Sequence, residues 1–175
     1  IMAENSASKS SFARWWRQVL FVPILHSKWL TPAAKARLTE QVTLAEQGHR
    51  GEVFLIVENH LPIQEAYHSD CRDRAVDLFS QYRVWDTEEN TGVLIYVNIC
   101  EHKLEIVADR GISAHVSPTV WRAMCDKAVV GIANQKTEES LTELLDEVGQ
   151  VLRQYYHLEH DPAGNELSDT VIFLK

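Results

Sequence analysis

One uninterrupted apolar run, Val53-Phe54-Leu55-Ile56-Val57, constrains this chain more than any other feature. A strand with one wet face alternates apolar and polar residues, and this run does not. It reads as a strand covered on both faces, which requires a helical layer above it and another below.

The flanking sequence supplies those helices. Thr31-Pro32 predicts a helix start, because threonine caps a free N–H and proline at the first position gives up no hydrogen bond. Leu38, Val42 and Ala45 then recur at helical spacing until Gly48 and Gly51 end the pattern. After a loop with Pro62, residues Ala75, Leu78, Phe79 and Tyr82 form a second stripe. Ser117-Pro118 opens a third helix carrying Val120, Trp121, Met124, Ala128 and Ile132. Thr137 is expected to cap a fourth, with Leu141, Leu144, Leu145, Val148, Leu152 and Tyr155 inward.

Gly92 opens a second strand, Val93 to Cys100, parallel to the first because a helix connects them. Glu101-His102 reads as a tight turn into a third strand, Lys103 to Asp109. This register pairs Ile99 with Leu104, Val97 with Ile106 and Ile95 with Ala108, and places Tyr96 opposite Val107 and Leu94 opposite Asp109. The order is αβαββαα: an α/β three-layer sandwich with a small mixed sheet between helices. Residues 31–157 form the domain, 1–30 a basic aromatic arm, and 158–175 a tail packing on the domain and closing with Val171-Ile172-Phe173.

Charge divides along the same boundary. The net charge of −8 splits into +3 for residues 1–30 and −11 for the rest. So acidic a body has no basic stripe to release counterions from a phosphate backbone, which excludes nucleic acid as a partner. Cys71, Cys100 and Cys125 form no C-x-x-C pair and read as buried structural thiols in a reducing compartment. The seven glycines form no phosphate-binding loop, and no nucleotide or redox cofactor is expected. Glu46/His49 and Glu65/His68 have di-iron spacing but lack a four-helix scaffold.

Two segments carry candidate function. Trp15-Trp16-Arg17 and Val19 to Leu25 are too short to span a bilayer, are interrupted by Pro23, and lack a small-residue cleavage site. With Trp15, Trp16, Arg17 and Phe21 as contacts, the segment reads either as an interfacial element on an anionic membrane or as an arm packed on the domain or on a second subunit. The other segment is one edge of the sheet. Parallel pairing brings together the approach to strand one (Glu46, His49, Glu52), the approach to strand two (Asp86, Glu88, Glu89, Asn90) and the exit of strand three (Asp109, Arg110). Carboxylates with an amide oxygen suit a hard cation, Ca2+ or Mg2+; Asp86 and Asp109 are first choices because strand ends fix their direction.

Val84-Trp85-Asp86-Thr87-Glu88, Asn90, Gly92-Val93-Leu94-Ile95-Tyr96 and Glu105-Ile106-Val107-Ala108-Asp109-Arg110-Gly111-Ile112 resemble the TPM domain, in particular its short bacterial stand-alone branch. Glu46, His49-Arg50-Gly51-Glu52, Trp121, Asn165-Glu166-Leu167 and Asp169 extend the resemblance over roughly residues 40 to 170. It implies an α/β sandwich, as in thylakoid-lumen proteins of photosystem repair and in membrane-anchored bacterial and animal proteins. Acid phosphatase activity and calcium binding have been attributed to some members. The family's acidic positions map onto Asp86, Glu88, Asn90 and Asp109. Without a cleavable signal or a C-terminal membrane helix, the expected location is cytoplasmic, peripheral to the inner membrane. The leading expectation is a non-enzymatic module binding a protein partner or a membrane surface, with a divalent cation at the acidic edge. The alternative is a divalent-metal-dependent acid phosphatase using Asp86 and Asp109 as ligands and His49 as acid or base.

Overall fold

The computed structural model describes residues 11–22, 28–157 and 171–174. Helix α1 (Phe12–Leu20) and helix α2 (Pro32–Glu46) precede strand β1 (Glu52–Glu58). Helix α3 (Cys71–Gln81) leads to strands β2 (Gly92–Asn98) and β3 (Lys103–Ala108). A single turn, α4 (Arg110–Ser113), precedes helices α5 (Pro118–Ala133) and α6 (Thr137–Tyr156), and strand β4 (Ile172–Leu174) closes the chain. The sheet order is β3-β2-β1-β4, with β1 parallel to β2 and β4, and β3 antiparallel to β2.

This is the expected three-layer α/β sandwich. Alternate residues of the central strands feed two cores. Val53, Leu55, Val57, Val93, Ile95 and Val97 pack under α2, α5 and α6, while Phe54, Ile56, Leu94 and Tyr96 meet Cys71, Ala75 and Leu78 of α3. Every residue of β1 and β2 is buried, as the apolar run requires. Beyond the expected order, the chain adds α1, α4 and β4, a parallel edge strand only three residues long. The rest of the tail expected to pack on the domain, and Asn165-Glu166-Leu167 and Asp169 within it, lie outside the described residues, as do Pro23 to Ser27 and the first ten positions.

The caps mostly follow the sequence. Thr31 Oγ1 accepts from Ala34 N at 3.1 Å, and Ser117 Oγ from Thr119 N at 3.3 Å. Helix α3 opens with a reciprocal capping box between Asp70 and Asp73. Thr137, in contrast, is the first residue of α6 and not its cap; Lys136 holds that position and makes no side-chain cap hydrogen bond.

The hairpin register departs from expectation by two residues. Val97 pairs with Leu104, Ile95 with Ile106 and Val93 with Ala108, so Tyr96 faces Glu105 and Leu94 faces Val107. The loop has four residues, Ile99 to His102, held by Glu101 N donating to Asn98 Oδ1 at 2.9 Å. A two-residue I′ turn needs positive φ at both central positions; this loop needs it only at His102 (φ 50°). An even slip leaves each side chain on its own face.

A buried polar network ties the second core together. Glu58 is 2% exposed and accepts three contacts from Arg74, at 2.7, 3.2 and 3.2 Å. Tyr96 Oη donates to Glu58 at 2.5 Å and accepts from Asn98 Nδ2 at 2.9 Å. Burial, then the Glu58 charge, pushes the Tyr96 hydroxyl far up, so it stays a donor.

Candidate functional site

The acidic edge forms as parallel pairing dictates. Glu52 lies opposite Gly92 in the β1–β2 ladder, and Asp109 N donates to Gly92 O at 2.9 Å, so the starts of two strands and the end of a third share one rim. The loop before β2 turns back through Asn90, whose φ is 56°. Its carbonyl accepts from Gly111 N at 3.0 Å. Only glycine fits at 111, where a Cβ would stand 2.5 Å from Glu89 O.

The predicted residues divide within that rim. Asn90 and Asp109 both bond Arg110, whereas Asp86 and Glu88 are exposed. Arginines enter as well: Arg110 Nε donates to Asn90 Oδ1 at 2.9 Å, and Arg50 pairs with Glu89. Asp109 Oδ1 accepts from Arg110 N at 2.7 Å, capping α4, while Asp109 Oδ2 is buried and makes no hydrogen bond among the described residues. Among those residues no three His, Cys, Asp or Glu side chains are placed to hold a metal ion. Glu46, from the approach to β1, accepts from Val53 N at 2.8 Å and so anchors the strand start.

His49 lies beneath the rim. It is 3% exposed; Nε2 bonds Ala45 O at 2.5 Å, and Nδ1 accepts from Gly51 N at 3.0 Å. This pairing holds the neutral Nε2–H tautomer. Burial lowers its pKa, with a smaller contribution from the Arg153 charge. Both ring nitrogens are therefore committed to clamping the α2–β1 connection. Burial also disfavours the thiolates, pushing Cys100 up to about 11 and Cys125 up to about 12.

The family model described as the TPM domain matches residues 25–151, across β1 to β3, the rim, helices α2 to α5 and most of α6. This chain belongs to the TPM domain family. The matched segment begins before the expected residue 40 and ends before the tail. Its fold is also similar to the BA42 protein of the psychrophilic bacterium Bizionia argentinensis, with a TM-score of 0.72 and 24% identity over 82% of this chain and 94% of that one. The N-terminal domain of a P. gingivalis protein is similar at a TM-score of 0.62 and 15% identity, over 77% and 85%. Among curated proteins, none matches this chain in sequence.

The second predicted segment of this TPM domain is the arm. Helix α1 packs on the domain through polar anchors. Gln18 is 2% exposed, accepts from Leu61 N at 2.9 Å and donates to Glu101. Arg14 Nε donates to Ala66 O at 2.8 Å, and Arg17 pairs with Glu101 at 3.1 Å. Trp15 and Phe21 are half-buried against the cores. Phe12, Trp16 and Leu20, at i, i+4 and i+8, are 62%, 44% and 70% exposed. Glutamine is no sequence signal for an anchor; only its distant partners identify it as one. No helix among the described residues is long and apolar enough to cross a membrane.

Proposed function

We propose that this TPM domain is a non-enzymatic docking module that binds an anionic membrane surface through the outer face of α1. One observation carries the reading: the helix is inverted. A surface helix of a globular domain turns its apolar stripe inward. Here the inward side holds Gln18 and Arg14 beside half-buried Trp15, and Phe12, Trp16 and Leu20 face out, with Val19 and Val22 beside them. Aromatic and leucine side chains next to basic residues suit the headgroup boundary. Arg17, paired with Glu101 yet 53% exposed at its side chain, supplies positive charge beside them. Transferring the exposed parts of three such side chains yields roughly 3 kcal/mol, enough for reversible binding. The −11 body then faces away from the lipid.

Co-flotation with phosphatidylglycerol-containing vesicles tests this. The wild type should float, and the triple variant Phe12→Ser/Trp16→Ser/Leu20→Ser should stay in the dense fraction at unchanged Tm. Trp15 is unsuitable as a probe because it is half-buried. A wild type that never floats sinks the proposal.

A divalent cation at the rim, and a metal-dependent phosphatase built on it, has one observation in its favour: the orphan Asp109 Oδ2. Against it, Asn90 Oδ1 is bonded to Arg110, Glu89 is paired with Arg50, and Asp86 and Glu88 are exposed. No three of the rim's described His, Cys, Asp or Glu side chains come together as ligands. A Ca2+- or Mg2+-induced rise in Tm, abolished by EDTA and absent in Asp109→Asn, would restore that reading.

A further inference from the structure

The apolar outward face of α1 does not end with the helix. Of the thirteen exposed large hydrophobic side chains among the described residues, five lie on α1 and the two residues after it. Two more, Ile63 and Tyr67, lie on the loop that joins β1 to α3. The other six are spread over four helices and a second loop. Single exposed apolar residues are ordinary on a folded protein, whereas their concentration on two touching segments marks an interaction surface.

Hydrogen bonds set these two segments side by side. Ser11 N donates to Tyr67 O at 3.0 Å, Arg14 Nε to Ala66 O at 2.8 Å and Arg14 Nη2 to Tyr67 O at 3.2 Å. Toward the other end of the helix, Gln18 accepts from Leu61 N at 2.9 Å. The helix therefore runs antiparallel to residues 61–67, and Trp15 packs in the seam against the cluster that contains Leu61 and Ala66. The loop is wound into turns by Glu65 N and Ala66 N on Pro62 O, and by His68 N and Ser69 N on Glu65 O, all at 2.8 to 2.9 Å. Leu61 and Ala66 fill its buried side, while Ile63 and Tyr67 are 42% and 38% exposed and so lie outside the core. The Tyr67 ring stands edge-on to His68, with centroids 4.8 Å apart. Tyrosine pairs an apolar body with a polar tip, the combination that settles at a headgroup boundary.

Charge favours the same end of the molecule. The loop follows the carboxyl end of β1, and the acidic rim lies at the amino end. Around the carboxyl ends, residues 11–22, 59–69 and 99–103 carry Arg14, Arg17 and Lys103 against Glu65 and Glu101, a net +1. Around the rim, residues 46–52, 83–90 and 109–111 carry three arginines against six carboxylates, or −3. Both carboxylates at the first end are engaged, Glu101 by Arg17 at 3.1 Å and Glu65 by Arg74 at 4.0 Å. An anionic surface attracts the first end and repels the second.

We infer that the β1–α3 loop is a second membrane-contacting element: Ile63 and Tyr67 enter the headgroup boundary beside Phe12, Trp16 and Leu20, and the domain stands with the carboxyl ends of β1 and β2 toward an anionic bilayer. The inference rests on the docking reading of α1 and adds what a single helix leaves open, because two elements fix tilt as well as attachment. The seven residues of β1 then hold the acidic rim about 20 Å further from the lipid, facing solvent.

Paramagnetic broadening of the 15N-labelled full chain, on phosphatidylglycerol-containing nanodiscs that carry a gadolinium-chelating lipid, tests this orientation. Amides of residues 12–20 and 63–68 should broaden, and those of residues 86–90 and 109–111 should not. Ile63→Ser/Tyr67→Ser, at exposed positions, should keep the wild-type Tm. In flotation it should bind phosphatidylglycerol vesicles about tenfold more weakly, as loss of apolar contact from two half-exposed side chains implies. A wild type that neither floats nor broadens overturns the docking reading, and this inference falls with it. If the wild type floats but broadening is confined to residues 12–22, or reaches the rim as strongly as α1, the inference alone is overturned. A double variant that floats like the wild type has the same consequence.

Discussion

Replacing Arg74 with leucine isolates the most deeply buried charge in the second core. Glu58 is 2% exposed and Arg74 15%, both by side chain, so water screens their attraction little. The substitution removes three contacts of 2.7 to 3.2 Å and leaves Tyr96 Oη, at 2.5 Å, as the remaining hydrogen-bond donor to Glu58 that the network contains. Stripping one partner from a buried pair costs about 3–5 kcal/mol. For a chain of this length each kcal/mol moves Tm by about 2–4 °C, so a fall of roughly 10 °C is expected. Urea unfolding followed by tryptophan fluorescence should show a lower midpoint at unchanged slope. Arg74→Leu/Glu58→Leu/Tyr96→Phe should recover most of the loss, because a buried ion pair exchanged for apolar groups is often neutral and no hydroxyl is then left without its acceptor. If the single variant loses under about 1 kcal/mol, or the triple is no better than the single, Arg74 does not hold Glu58 as argued here.

Two further perturbations follow from local geometry. A Cβ at Gly131 would stand 2.0 Å from Ser140 Oγ and 3.1 Å from Ser140 Cβ, so Gly131→Ala should cost about 1–3 kcal/mol, and adding Ser140→Ala should return most of it in the same urea assay. For His49, the folded state lowers the pKa, so as pH falls below about 6.5 the unfolded chain takes up the proton first. Stability is therefore full above that pH and declines below it; His49→Gln should flatten the urea midpoint between pH 7 and pH 5 while lowering it at pH 7.

The acidic rim is partly legible in the sequence. Parallel pairing follows from a helix joining two apolar strands, and that alone brings Glu52, Asn90 and Asp109 to one end. Which charges cancel there was not legible, because Arg50 and Arg110 reach Glu89 and Asn90 across 39 and 20 residues of sequence.

Local rules therefore carry the layers and most of the caps of this TPM domain. The run from Val53 to Val57 can be buried only between two helical layers, and Thr31-Pro32 and Ser117-Pro118 begin helices through contacts within three residues. Tertiary structure decided what local rules leave degenerate. A hairpin slipped by two residues keeps every side chain on its face, so loop hydrogen bonds, not hydrophobicity, chose the register. The N-terminal segment is amphipathic in either orientation, and Phe12, Trp16 and Leu20 face outward because Gln18 finds its partners at Leu61 and Glu101, 43 and 83 residues away.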